Sequence, residues 1–515
     1  MGNIRNFIKK YSFEEIILLL IVASGAILSL YQYLVNRSLW LDEACLALNI
    51  IQKSSIELLQ PLDYDQAAPL LFLQIEKLFS MLIPNSEYGL RLFPLLCFLA
   101  SIWFFYQIVK RHTFNFYAKV TALSIFVFNS SLLYYSSEIK PYITDVTVML
   151  AIFYFAQKDY KKETVKYYIL GIIGMLSFFL STVAPIILLT CGFYLLYDKF
   201  FVNKKKKWKP LLLLAASWLF AFFPYYVLVV HNHPAKDFMV DYWSTEKGFL
   251  PLDSSIFEYL LTRLHWTLRS LSSFNVPFNT WVGWGMYILF FAGIYYMIWK
   301  KQILLMLFIC MPVLVHLFLS VLKIYPYAVY NSSLGLKFIV YTLPNLIIIC
   351  SIGFGLIAHL IYSKLKIKEY QILVIFIPIM FFLLQIPDKR DIGAKKTINY
   401  IAENIKEDEH LYVMNTIANE FRYYSDIGFA KIKKEQICGY TTGIRTSDAL
   451  VNTIDEIKQL RGKYWIFFRV YDDEEDYIAN GLETLGYKEI KRFRNLGTAV
   501  FLYDFSENPS NQAFE

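Results

Sequence analysis

The sequence predicts a polytopic α-helical membrane protein that ends in a soluble α/β domain, and three observations predict it. Of 515 residues, 57% are hydrophobic and 18% charged, with a mean hydropathy of +0.41, whereas soluble chains carry about 25% charge. The apolar residues gather into runs near the ~20 that a helix needs to cross a bilayer, instead of recurring at core periodicity. Beyond Pro387 the composition changes and short apolar runs alternate with amphipathic stretches.

Runs of apolar residues between charged loops give eleven spans, beginning near residues 15, 89, 115, 142, 167, 183, 210, 281, 302, 338 and 371. The first follows Arg5, Lys9 and Lys10 like a signal peptide, but no small-residue cleavage site comes after it, so it is read as an uncleaved helix. The fifth and sixth, Tyr167 to Ser181 and Val183 to Phe201, nearly touch and form either a tight hairpin or one long broken segment.

Loop charges arbitrate. With the N-terminus inside, Lys110 and Arg111, then Lys158, Lys161, Lys162 and Lys166, then Lys204 to Lys207, Lys300 and Lys301, and Lys364, Lys366 and Lys368 all fall on the cytoplasmic side. Merging spans five and six would move Lys204 to Lys207 outside, so the sequence favours eleven spans and a non-cytoplasmic C-terminus. Two domains follow: a transmembrane domain over 1–387 and a non-cytoplasmic α/β domain over 388–515. The latter rests on runs such as Leu411 to Met414 and Trp465 to Phe468, separated by amphipathic stretches at Ala449 to Leu460 and Glu475 to Leu485.

The net charge of +8 resides in these short loops, so it serves topology and implies no nucleic-acid partner. Four of the six cysteines, Cys97, Cys191, Cys310 and Cys350, lie in apolar runs, which does not support a disulfide framework. Three segments outside the membrane are long or polar: Asn36 to Tyr88, His231 to Thr280, and everything after Pro387. Function is expected there.

The sharpest local signal is Ser38-Leu39-Trp40-Leu41-Asp42-Glu43-Ala44, two adjacent carboxylates directly after the first span. A solvated helix end or N-cap explains such a pair by itself. Glycosyl transfer also explains it, because an acceptor hydroxyl must lose a proton as it attacks an anomeric carbon. A lipid phosphate leaves as an anion, so a nearby cation replaces the acid a hydrolase would need. The pair is followed by Leu62-Asp63-Tyr64-Asp65-Gln66-Ala67-Ala68-Pro69, by Ser86-Glu87-Tyr88-Gly89-Leu90-Arg91 at the second span, and by Tyr134-Tyr135-Ser136-Ser137-Glu138-Ile139-Lys140-Pro141-Tyr142 between spans three and four.

This order resembles the GT-C glycosyltransferases of the family 39 type, which include protein O-mannosyltransferases and lipid A aminoarabinose transferases. In them an Asp-Glu motif of the first external loop carries the catalytic carboxylate, which falls on Asp42 and Glu43. Tyr325-Pro326-Tyr327, followed by Lys337 and an apolar span with Pro344, is similar to the family's Tyr-Pro…Arg…Pro pattern. The resemblance covers most of 36–145 and about 322–350. Ala67-Ala68-Pro69 stands where many relatives have His-Pro-Pro, and Lys337 stands for the usual arginine, keeping a point charge and losing the bidentate fork.

The resemblance implies an inverting, bacterial plasma-membrane transferase that moves a hexose or pentose from a polyprenyl-phosphate donor to a hydroxyl of a glycan, lipid or protein. It makes Asp42 the general base and Glu43 an assisting or binding group. Asp63, Asp65, Arg91, Glu138, Lys140, Tyr142 and Lys337 become substrate-binding candidates, with Lys140 and Lys337 assigned to phosphate. For Arg91, snorkelling from a helix end competes evenly with an ion pair to a loop carboxylate; Glu138 and Lys140 either pair with each other or serve phosphate. Asp145, within the fourth span, needs a cavity or partner. His231 and His233 have ligand-like spacing without a third ligand, so no metal is assigned, although the chemistry leaves room for a divalent ion. Tyr242-Trp243 and His265-Trp266 suit interfacial anchoring better than sugar stacking. Two rival classes are a transporter or flippase of a lipid-linked saccharide, disfavoured because inverted halves are not visible and the polar motifs crowd onto one face, and a scaffold, which leaves the carboxylate pair unexplained.

Overall fold

The structure is a computed structural model that describes residues 12–506, apart from 113–114, 204–207, 232–233, 235, 272–280, 330–335, 366–391, 441–456, 458 and 471–473. The chain forms two units, one of residues 1–35, 55–79 and 91–388, the other of 36–54, 80–90 and 389–515.

The helices run, in chain order, α1 (Phe13–Val35), α2 (Leu41–Gln52), α3 (Leu70–Leu82), α4 (Glu87–His112), α5 (Phe116–Phe128), α6 (Ser130–Tyr135), α7 (Tyr142–Gln157), α8 (Glu163–Leu180) and α9 (Ala184–Tyr197). They continue with α10 (Lys209–Tyr225), α11 (Lys236–Thr245), α12 (Ile256–Arg269), α13 (Trp281–Trp299), α14 (Ile303–Val321) and α15 (Leu343–Leu365). Seven helical stretches among the described residues are long and apolar enough to cross a membrane, and three shorter apolar helices, Phe116–Phe128, Tyr142–Gln157 and Gly283–Trp299, join them. Ten of the eleven expected spans therefore have a helix at the expected place, and the chain is an integral membrane protein. The eleventh, from 371, lies outside the described residues, as do Lys204 to Lys207 and most of Ala449 to Leu460.

Spans five and six form the hairpin. Helix α8 stops at Leu180 and α9 starts at Ala184, so the first amides of α9 lack intrahelical partners. Asp145, buried in the first turn of α7, instead holds the short link before α9: its Oδ1 accepts from Ser181 Oγ at 2.7 Å and from the Thr182 amide at 2.9 Å, and its Oδ2 from Thr182 Oγ1 at 2.7 Å. The costly carboxylate in the span has partners and fixes where the chain turns. Elsewhere glycine sets the helix spacing. A Cβ on Gly293 of α13 would strike the Ile349 carbonyl, and one on Gly353 of α15 the Leu289 carbonyl, so the two helices meet backbone to backbone.

The second unit holds α16 (Ala394–Asn404), β1 (Glu409–Val413), α17 (Ala418–Asp426), β2 (Ile437–Tyr440), β3 (Lys463–Arg469), α18 (Glu474–Thr484), β4 (Glu489–Asn495) and β5 (Thr498–Asp504). The strands form one sheet in the order β2-β1-β3-β5-β4. β1 pairs parallel with both β2 and β3, and β5 pairs antiparallel with β3 and β4. Alternate residues of β3 serve opposite faces: Ile466 and Phe468 join the cluster that includes Ile478 and Leu482 of α18, while Phe467 meets Phe421 of α17 and Trp465 meets Tyr400 of α16. Covered on both sides, β3 reads as a continuous apolar run. This is the α/β domain the sequence predicts, and it also incorporates α2: Leu39 donates its amide to the Tyr424 hydroxyl at 2.8 Å and Gln52 its amide nitrogen to Asp426 Oδ2 at 2.5 Å.

Candidate active site

The carboxylate pair opens α2, where the positive end of the helix dipole favours acidic side chains in the first turn. The two behave differently. Glu43 is fully buried and accepts from Arg37, itself 1% exposed, with Nη2 3.4 Å from Oε1. Asp42 is half-buried. Around them Lys395 Nζ reaches Glu87 Oε1 at 2.6 Å and the Asn36 carbonyl at 2.8 Å, while its amide donates to Ser38 Oγ at 3.2 Å. The segment from Asn36 to Glu43 is thereby held from both ends, leaving Asp42 on a rigid support.

The remaining candidates belong to the first unit. Asp63 and Asp65 are exposed. Between them the backbone makes a tight turn closed by the Gln66 amide on the Asp63 carbonyl at 3.4 Å, with left-handed φ of 61° at Tyr64 and 53° at Asp65. Two successive positive φ values define a type I′ turn, and without glycine each costs roughly 1 kcal/mol or more. Such strain persists where the surroundings enforce it, often at a functional position.

What the turn delivers is Gln66. Its Oε1 accepts from Lys140 Nζ at 2.5 Å. Lys140 is 6% exposed and, among the described residues, has no carboxylate partner. The ammonium faces an amide instead of Glu138. The stretch from Ser136 to Lys140 is buried throughout, built as a run of tight turns: Ser137 N to Tyr134 O at 3.2 Å, Glu138 N to Tyr135 O at 3.4 Å and Lys140 N to Glu138 O at 2.8 Å. Tyr142 packs edge-on to Tyr135, centroids 5.1 Å apart. Arg91 is 1% exposed, so it does not snorkel.

Lys337 lies 5.1 Å from the centre of the Trp243 ring and 5.5 Å from that of Phe338. Trp243 and Phe338 meet edge to face at 4.7 Å, and Tyr325 meets Phe338 at 5.6 Å. A side chain on Gly248 would press on Trp243 and Pro326, at 3.1 and 3.4 Å, so α11 and the Tyr325-Pro326-Tyr327 segment form one aromatic wall around Lys337. Trp243 is thus a packing residue, whereas Tyr242 is exposed. His265 Nδ1 lies 3.1 Å from the Tyr287 hydroxyl. His231 ends the helical segment after α10, and His233 lies outside the described residues.

Sequence reading missed Arg37 and Gln66 as site members. Arg37, six residues before Glu43 at a membrane boundary, carried a usable signal. Gln66 carried none, since its partner is 74 residues away.

No protein-family profile matches the chain, and no curated protein matches it. Solved structures do. The chain is similar to ArnT from Cupriavidus metallidurans bound to undecaprenyl phosphate, with a TM-score of 0.54 and 12% identity over 94% of this chain and 97% of that one. It is similar to the same protein in the apo state with a TM-score of 0.52, again at 12% identity and the same coverage. The likeness spans 94% of this chain and shows a GT-C fold.

Proposed function

We propose that the chain is an inverting glycosyltransferase that takes its sugar from a polyprenyl-phosphate donor on the non-cytoplasmic face. The observation that carries the reading is Lys140. A buried ammonium whose partner among the described residues is a neutral amide is expensive, and an anionic ligand would repay it. The GT-C fold and the undecaprenyl phosphate bound to ArnT support a lipid phosphate as that anion.

In this reading Asp42 accepts the acceptor's proton as its oxygen forms a bond to the anomeric carbon. The bond from that carbon to the phosphate oxygen breaks with inversion. Polyprenyl phosphate departs as an anion, and Lys140 and Lys337 stabilise the charge that develops on it. Glu43, held by Arg37, serves as a binding or supporting group. Arg91, Glu138, Tyr142, Asp63 and Asp65 are assigned to substrate binding, and the acceptor is a hydroxyl of a glycan, lipid or protein.

The test supplies purified protein in vesicles with labelled polyprenyl-phosphate sugars and measures release of free polyprenyl phosphate. Release that needs an acceptor supports the transferase. Movement of the intact donor across the vesicle without cleavage would favour a flippase.

A further inference from the structure

A second charged site lies at the ends of α4 and α7 that the positive-inside rule assigns to the cytoplasm, and the proposed transfer reaction does not use it. Gln107, Lys110, Arg111, Tyr154, Lys158 and Asp159 line an open cavity of about 400 Å³. Three cations thus face one carboxylate. The acidic groups are peripheral: Arg111 Nη2 holds Asp159 at 3.2 Å, whose side chain stands fully in solvent, and Lys110 Nζ holds Glu15 of α1 at 3.4 Å, both partly exposed. Arg111 also donates to the Gln157 carbonyl, which fixes its guanidinium at the rim. Lys158 has no carboxylate partner among the described residues and lies 5.7 Å from the centre of the Tyr154 ring.

The positive-inside rule accounts for lysines at these helix ends. It does not account for a concave site with an aromatic wall. Tyr154, one turn before Lys158, packs edge-on against Trp103, centroids 5.3 Å apart, and Trp103 is one turn before Gln107. Trp103 is 48% exposed, and Phe104 and Phe155 extend the same cluster. An aromatic surface directly toward the membrane from a cationic cavity matches a ligand with an anionic head and an acyl tail. We propose that this cavity binds the phosphodiester headgroup of an anionic phospholipid, with its acyl chain lying along Trp103.

The test uses the full chain in detergent, with phosphatidylglycerol, phosphatidylcholine or inorganic phosphate added, and reads lipid retention by native mass spectrometry together with thermal stability. Phosphatidylglycerol should be retained and should raise the melting temperature, with little effect from phosphatidylcholine. The double variant Lys110→Ala/Lys158→Ala should weaken retention by roughly fivefold per lysine. Trp103→Ala, which leaves every charge in place, should weaken retention of phosphatidylglycerol as well. Equal retention of phosphatidylcholine, or undiminished retention in the double variant, would overturn the site. Stabilisation by inorganic phosphate as large as that by phosphatidylglycerol would overturn the lipid assignment.

Discussion

Arg37 holds Glu43 within the protein interior, Nη2 to Oε1 at 3.4 Å, with both side chains shut off from water. Breaking a buried ion pair from one side costs about 3–5 kcal/mol. Arg37→Ala should therefore lower the melting temperature of the detergent-solubilised protein sharply. Glu43→Gln, which keeps hydrogen bonding, should cost less, and the double variant Arg37→Ala/Glu43→Gln should recover part of the loss. Strict additivity would show that the pair is not coupled.

Lys140 gives a prediction of opposite sign. If the lysine exists to meet a phosphate, Lys140→Met removes a buried charge that has no carboxylate partner among the described residues and should leave stability unchanged or raise it, as expected where function is maintained against stability. Sugar transfer should fall by ~10²-fold or more, the scale of a lost electrostatic contact to a developing anion. Lys337→Arg should keep substantial transfer and Lys337→Ala should not. A destabilised Lys140→Met protein with normal transfer would make the lysine structural.

Glu76 supplies a pH signature. It is fully buried on α3 and, among the described residues, neither carboxylate oxygen has a hydrogen-bond partner, so burial pushes its pKa well above the ordinary 4.5. The folded state keeps the proton that the unfolded chain gives up, so the group's stabilising contribution is complete in acid and is lost as pH rises beyond the ordinary carboxylate range. Glu76→Gln should melt higher than the wild type at alkaline pH, and the gap should close on acidification. A gap that is constant with pH would mean that Glu76 does not titrate between the two states.

The fold was largely legible in the sequence because crossing a bilayer imposes a length and a polarity on each segment locally. Ten helices stand where apolar runs stand, and the strand runs at 411–414 and 465–468 became β1 and β3. The hairpin at Ser181 was legible from loop lysines, though its cause was not: Asp145 caps the turn from 36 residues away. Helix α3 was hidden inside what read as an external loop. The site was less legible for the same reason. Asp42 and Glu43 announce themselves as neighbours, but Gln66 meets Lys140 through a turn whose left-handed residues are Tyr64 and Asp65, where composition gives no hint of positive φ.

Sidedness underlies every assignment. A reporter fused within Lys204 to Lys207 should read as cytoplasmic and one fused after Pro387 as non-cytoplasmic. Reversed readings would place Asp42 and the sheet domain on the side where the donor is not proposed to act.

Asp42→Asn tests the central claim most directly. The amide keeps size and hydrogen bonding but offers no basic oxygen, so donor binding and the melting temperature should persist while transfer from a labelled polyprenyl-phosphate sugar falls by ~10²-fold to 10⁴-fold. Transfer near the wild-type rate would contradict the account, reduce Asp42 to a helix-end carboxylate, and send the search for the base to Glu43, Asp63, Asp65 and Glu138.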